Sequence, residues 1–118
     1  MSENSNIPFN AQAPDFKARV RLLTAEEGGR NNEAGVGYRP QIWFDLQIEG
    51  ISCTSGSWQK IDKEKVFPGD VAEIEIALLS RGFYKNQFFV GLRFQLTEGS
   101  IQIGTGEILE IYNNALKA

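Results

Sequence analysis

Two short pieces of the chain set arginine beside glycine: Glu26-Glu27-Gly28-Gly29-Arg30 and Gly37-Tyr38-Arg39-Pro40-Gln41. Arginine presents a planar fork of donors that fits a carboxylate or a phosphate, and glycine lets backbone approach such a group closely. A phosphate cradle is therefore the first chemistry to consider. A Walker loop needs Gly-x-x-x-x-Gly-Lys-Ser/Thr between a strand and a helix. Here Gly29-Arg30 runs on into Asn31-Asn32-Glu33, with no Lys-Ser/Thr, and the dinucleotide pattern begun by Gly35 and Gly37 fails at Pro40. The residue before a proline is held extended. Arg39 is thus fixed in one pose, facing either a carboxylate (Glu26 or Glu27) or a phosphate.

Acid–base chemistry has two carboxylate pairs to draw on, Glu26 with Glu27 and Glu73 with Glu75. The first lies at a strand-to-loop junction and the second on the outward face of a strand, so both read as solvated surface. There is no histidine, which removes the usual general base, the usual zinc ligand and every Ser-His or Cys-His nucleophile. Cys53 is the only cysteine, so an intramolecular disulfide is excluded, and it reads as a small buried filler. With no signal-peptide pattern, this favours a reducing cytoplasm. No catalytic residue, metal site or cofactor is expected.

The elements that must position these residues are strands. The chain has 118 residues, 42% of them hydrophobic, enough for one domain with its own core. Net charge is −3, so any contact with nucleic acid must rest on a local patch. Residues 1–14 are polar, carry two prolines and read as a flexible lead to a domain over residues 15–118. From Phe16 the pattern alternates: Phe16, Ala18, Val20 and Leu22 share one face, and Lys17, Arg19 and Arg21 the other. Further strands are expected at residues 41–48, 71–79, 90–97 and 100–112, the last bent or bulged at Gly104 or Gly106. Residues 57–66 are ambiguous, an edge strand followed by a charged loop. Phe67-Pro68-Gly69-Asp70 reads as a type II turn and residues 97–100 as a hairpin turn. No segment carries a helical stripe, and no apolar run approaches the ~18 residues of a membrane helix. The expected fold is all-β, a closed antiparallel barrel.

Taken in order, these motifs resemble a known domain. Glu26 to Arg30, a six-residue spacer, and Gly37 to Gln41 are similar to the corresponding run in the third, C-terminal domain of elongation factor Tu. Val66-Phe67-Pro68-Gly69-Asp70 resembles that domain's Pro-Gly-Asp turn. The segment GLRFQLTEGSIQIGTGEI resembles its ending, and the likeness spans residues 16–111. The resemblance implies a six-stranded antiparallel β-barrel. The family's GTPase lies in its first domain, so a free-standing third domain is implied, without GTP binding or hydrolysis. In the family this domain binds the T-stem of aminoacyl-tRNA and contacts the GTPase domain, and some of its surface also meets the exchange factor. Arg30, Gln41, Glu98 and Gly99 match family positions near the T-stem. The family's threonine aligns near Gly50, its basic residue after the Glu-Gly turn is Ile101, and its spacer is the more polar run 31–36.

Two features run the other way. Lys17 and Arg19 replace acidic residues, giving a Lys17-Arg19-Arg21 ladder that either pairs across strands with Glu73, Glu75 or Glu107 or widens a basic face. Residues 80–90 form a longer loop with Phe83, Tyr84, Phe88 and Phe89 beside Arg81 and Lys85. Phe88 and Phe89 are expected to split, one plugging the barrel end and one outside, with Phe83 or Tyr84 joining the outer ring. Two functions follow. One is a protein-binding module, engaging a partner by mimicry of the elongation factor. The other is a translation-linked module that contacts tRNA or another structured RNA through Arg30, Arg39 and Gln41.

Overall fold

A computed structural model describes residues 13–48 and 53–118. Residues 1–12 of the expected lead, and Gly50, lie outside the described residues. Strand β1, Phe16–Leu22, buries Phe16, Ala18, Val20 and Leu22 and turns Lys17, Arg19 and Arg21 outward. Five more strands follow: β2 (Gln41–Phe44), β3 (Thr54–Ile61), β4 (Val71–Leu78), β5 (Arg93–Glu98) and β6 (Ile101–Ile111). All pair antiparallel and close into a barrel in the order β1-β4-β3-β2-β5-β6. Closure leaves no strand edge open to pairing. The barrel is filled by one core built around Phe16, Trp58, Phe94 and the isoleucines 42, 74, 76, 103 and 108.

Several boundaries differ from those the sequence implies. β2 stops at Phe44, where Leu46 N–H turns back to the Phe44 carbonyl at 2.8 Å. β5 starts only at Arg93, because Phe89 to Leu92 form a turn with Gly91 at φ +94°, and Val90 is exposed instead of inward. β3 is neither short nor an edge; it lies between β4 and β2. Its inward Gly56 leaves no room for a side chain, since a Cβ there would sit 2.3 Å from Ile42 Cδ1. Cys53 is half-buried, not a core filler. The barrel register shifts at three places, opposite Leu109, Gln59 and Ile103. Such bulges supply the curvature closure needs. Ile103 is next to Gly104, one of the two glycines expected to mark a bulge, while Gly106 accommodates the Phe94 ring, 2.4 Å from where its Cβ would be.

The turns behave as their chemistry dictates. Asp70 N–H reaches the Phe67 carbonyl at 2.9 Å with Gly69 at φ +92°, the expected type II turn. β5 and β6 are joined by Gly99-Ser100 alone, with Gly99 at φ +60°. Among the described residues, two short 3-10 turns, Arg81–Tyr84 and Asn114–Leu116, are the helical exceptions. Asp15 knots that end of the barrel. Its buried carboxylate accepts from Leu78 N–H at 2.7 Å, Arg81 Nε at 3.0 Å and Asn113 Nδ2 at 2.9 Å. Among the described residues, no helix is long and apolar enough to cross a membrane.

Candidate functional site

The first glycine-arginine piece closes a tight hydrogen-bonded turn over residues 24–29. Thr24 and Glu27 bond reciprocally: Thr24 N–H reaches Glu27 Oε1 at 2.9 Å, and Glu27 N–H reaches Thr24 Oγ1 at 3.2 Å. This is the reciprocal pairing of a capping box, Thr-x-x-Glu, a spacing present in the sequence. Gly28 leaves the turn at φ +94°, a conformation that costs a side-chain-bearing residue free energy. Gly29 then passes so close to Leu23 that a Cβ would lie 2.5 Å from its carbonyl oxygen. Both glycines serve the path of the chain. Arg21 grips Glu27 with two nitrogens, at 2.8 and 3.3 Å. That grip, with the Thr24 amide, holds the Glu27 carboxyl well below the usual range, at about 2. Glu27, one of two partners offered for Arg39, is thereby engaged.

Arg30 emerges from this loop into a closed cluster. Its guanidinium lies 4.6 Å from the centroid of the Tyr38 ring and pairs with Glu98 at the tip of the β5–β6 hairpin. The remaining donors reach the carbonyls of Asn32 at 3.3 Å and Glu33 at 3.2 Å. Tyr38 O–H donates to the same Glu98 oxygen, and its ring stands edge-on to Trp58. Burial works against the Arg30 charge, but Glu98 and Tyr38 favour it and the net direction is up. Burial, then the bond to Glu98, pushes the Tyr38 hydroxyl up as well. The second glycine turn, with Gly37 at φ +92° and Tyr38 N–H on the Gly35 carbonyl, is what sets Tyr38 in place. Arg30, Glu98 and Gly99 are thus brought together. Arg39 is exposed on the turn into β2, and Gln41 lies further along, half-buried.

The basic ladder is paired. Lys17 lies between Glu73 and Glu110 at 3.8 and 3.9 Å, and Arg19 meets Glu107 at 3.4 Å. Arg21 takes Glu27 from the loop, not a cross-strand partner, and Glu75 instead accepts from Tyr112 O–H at 3.3 Å.

Beside the ladder the outer sheet holds a groove that the sequence did not disclose, of about 770 Å³. It is gridded by register. One row runs Trp43, Gln95, Thr105, Arg21 across β2, β5, β6 and β1. The next runs Arg93, Glu107, Arg19, with Asp45 N–H bonded to the Arg93 carbonyl at 2.9 Å. Trp43 is 38% exposed, and its indole N–H is already satisfied by Thr97 Oγ1 at 2.8 Å. The Thr97 hydroxyl in turn donates to Gln41 at 3.1 Å.

The aromatic loop divides its rings. Phe88 is buried, 1% exposed, against Phe16 and Phe44, while Phe89 is 49% exposed, the expected split. Phe83 is outside at 61%. Tyr84 is a correction: at 2% exposure it packs on Phe44 and Phe88 and cannot belong to a surface patch. It sits in a 3-10 turn, where neighbouring side chains do not alternate. Burial also pushes its hydroxyl up. Arg81 is held by Asp15, and the polar segment Lys85-Asn86-Gln87 is docked: Asn86 and Gln87 N–H reach the carbonyls of Ala115 and Leu116 at 3.0 and 2.9 Å.

The fold and site define a closed six-stranded antiparallel β-barrel domain with its arginine loop clipped onto the last hairpin. The family model of the elongation factor Tu C-terminal domain matches residues 10–112, and the chain belongs to that family.

Proposed function

We propose that this barrel is a non-catalytic binding module acting beside translation in the cytoplasm, and that it engages a protein partner through the outer side of the 80–90 loop. The observation that carries this reading is the division of the loop's rings. Tyr84 and Phe88 fix the loop from beneath, while Phe83 and Phe89, with Leu79 and Val90, face outward. Exposed aromatic side chains on rigid backing are the kind that dominate protein interfaces. Charge supports the same reading. Lys17, Arg19, Arg21 and Arg30 each face a carboxylate, and the net charge is −3. A structured RNA backbone needs cations that are not already compensated. The retained Arg30, Gln41, Glu98 and Gly99 fit a barrel that imitates elongation factor Tu toward one of its protein partners.

A pulldown from the source lysate, run with and without ribonuclease, tests this. The same protein should be recovered in both arms and lost with Phe83→Ala and Phe89→Ala together, each single variant melting within ~0.5 kcal/mol of the parent. Recovery abolished by ribonuclease would transfer the function to the RNA alternative. Calorimetry with GTP should show no binding in the micromolar range, because the Walker lysine that would meet the phosphates is absent.

A further inference from the structure

The Trp43 groove lies apart from both the Arg30 cluster and the aromatic loop in its residues, and neither accounts for it. Its composition is specific. Trp43 offers an indole face whose N–H is already bonded within the barrel, so what remains on offer is the ring surface. Gln95 and Thr105 lie next in the same row, exposed, and their side chains make no hydrogen bond among the described residues. Arg93 is the diagonal neighbour of Trp43 across β2 and β5, a separation of about 7–8 Å that long side chains bridge. Its cross-strand partner Glu107 is engaged by Arg19, and among the described residues Arg93 has no ion pair. The groove therefore presents an aromatic ring with two polar side chains further along its row, and in the adjacent row, diagonal to the ring, a guanidinium without an ion pair among the described residues.

We infer that this groove seats one unpaired nucleotide of a single-stranded RNA, its base stacked on Trp43 and its phosphate held by Arg93. Base stacking on an exposed aromatic and a fork of donors for phosphate are the two components of single-strand recognition. Gln95 and Thr105 meet the base edge or the ribose hydroxyl. A duplex does not fit this chemistry, because its bases are not free to reach the ring. The acidic Asp45, beside Arg93, limits affinity, and the net charge of −3 keeps binding dependent on low salt.

Tryptophan fluorescence tests this directly. The chain has two tryptophans, and Trp58 is wholly buried, so quenching by a ligand reports on Trp43. An oligoadenylate of about eight nucleotides, within the usual site size, should quench the signal saturably at low salt. Labelled oligoadenylate followed by anisotropy should bind Trp43→Ala about ten-fold or more weakly and Arg93→Gln several-fold more weakly. Asp45→Asn should bind it more tightly, and Phe83→Ala should bind it unchanged. Free adenosine monophosphate should bind far more weakly than the oligomer; equal binding would overturn the strand and leave a mononucleotide site. Binding that survives both Trp43→Ala and Arg93→Gln, or a duplex RNA that binds as well as the single strand, would overturn the inference. So would an acidic, phenylalanine-containing peptide that binds with the same variant sensitivity while oligoadenylate does not, which would assign the groove to a protein. Arg93 is exposed, so Arg93→Gln keeps the test decisive where Trp43→Ala fails to fold. Neither variant touches the 80–90 loop, so this inference and the proposed protein interface fail separately.

Discussion

Two regions of the barrel combine arginine with an aromatic ring, and they do so to opposite effect. Around Tyr38 the combination is closed: Arg30 lies over the ring, a carboxylate bridges both groups, and two backbone carbonyls take the remaining donors. Around Trp43 it is open: the ring keeps an exposed face, and Arg93 has lost its cross-strand carboxylate to Arg19. Each sets an arginine beside an aromatic ring, Tyr38 in one and Trp43 in the other. What differs is how many acceptors the fold brings to each guanidinium. The lesson is that arginines on a sheet surface compete for a limited set of carboxylates, and the one left over is the one available to a ligand.

Among the described ion pairs the most deeply buried carboxylate is Asp15, paired with Arg81, and its loss should show the largest effect. Asp15→Ala leaves Arg81, Asn113 and the Leu78 amide without their shared acceptor. A loss of about 2–4 kcal/mol is expected in denaturant melts, chiefly because the buried Leu78 amide and Asn113 are left without an acceptor. A loss under ~1 kcal/mol would show that closure contributes little here. Next in size is the contrast itself. Arg30→Met should cost about 1–2 kcal/mol, for a charge-assisted bond and a cation–π contact that are only partly shielded from water. Arg93→Met should stay within ~0.5 kcal/mol. Equal losses in the two variants would erase the distinction between closed and open. The smallest effect belongs to Glu27, on the exposed side of the ladder. Its carboxyl is depressed from 4.5 to about 2, so its contribution is complete above 4.5 and is lost as pH falls toward 2. Glu27→Gln should therefore melt below the parent at neutral pH and converge with it in acid. A gap that stays constant across that window would show that the Arg21 contact is not what sets it.

The alternating strands were legible because each shows one face to the core and one to water. β1 and β4 follow from that rule, though Ala77, on the same alternation as the outward Glu73 and Glu75, is buried. β3 was obscured by its own packing: Gly56 and the flanking serines look like a loop, yet the glycine is there because Ile42 and Ile76 fill the space of a side chain. β2 looked longer than it is because Leu46 and Ile48 pack on the core without joining a ladder. The Phe88–Phe89 split could be read from extended geometry, whereas Tyr84 could not, since its turn was not foreseen. At the candidate site, Arg30, Gln41, Glu98 and Gly99 came from resemblance, but the closure of Arg30 on Glu98 joins residues far apart in sequence. The Trp43 groove draws on five strands whose spatial order is not their chain order. No local pattern marks such a row.

Asp15 also sets where the polypeptide enters and leaves the barrel. Its carbonyl accepts from the amides of both Tyr112 and Asn113, at 2.9 and 3.0 Å, so the first strand begins beside the end of the last. Entry and exit therefore share one doorway. Chain that runs through this barrel can treat it as a bead on a string, inserted at a single point. The same geometry permits the connectivity to be cut and rejoined. A short flexible link from the tail to residue 13, with new termini opened in the exposed turn at residues 62–65, would preserve all six strands in their order around the barrel.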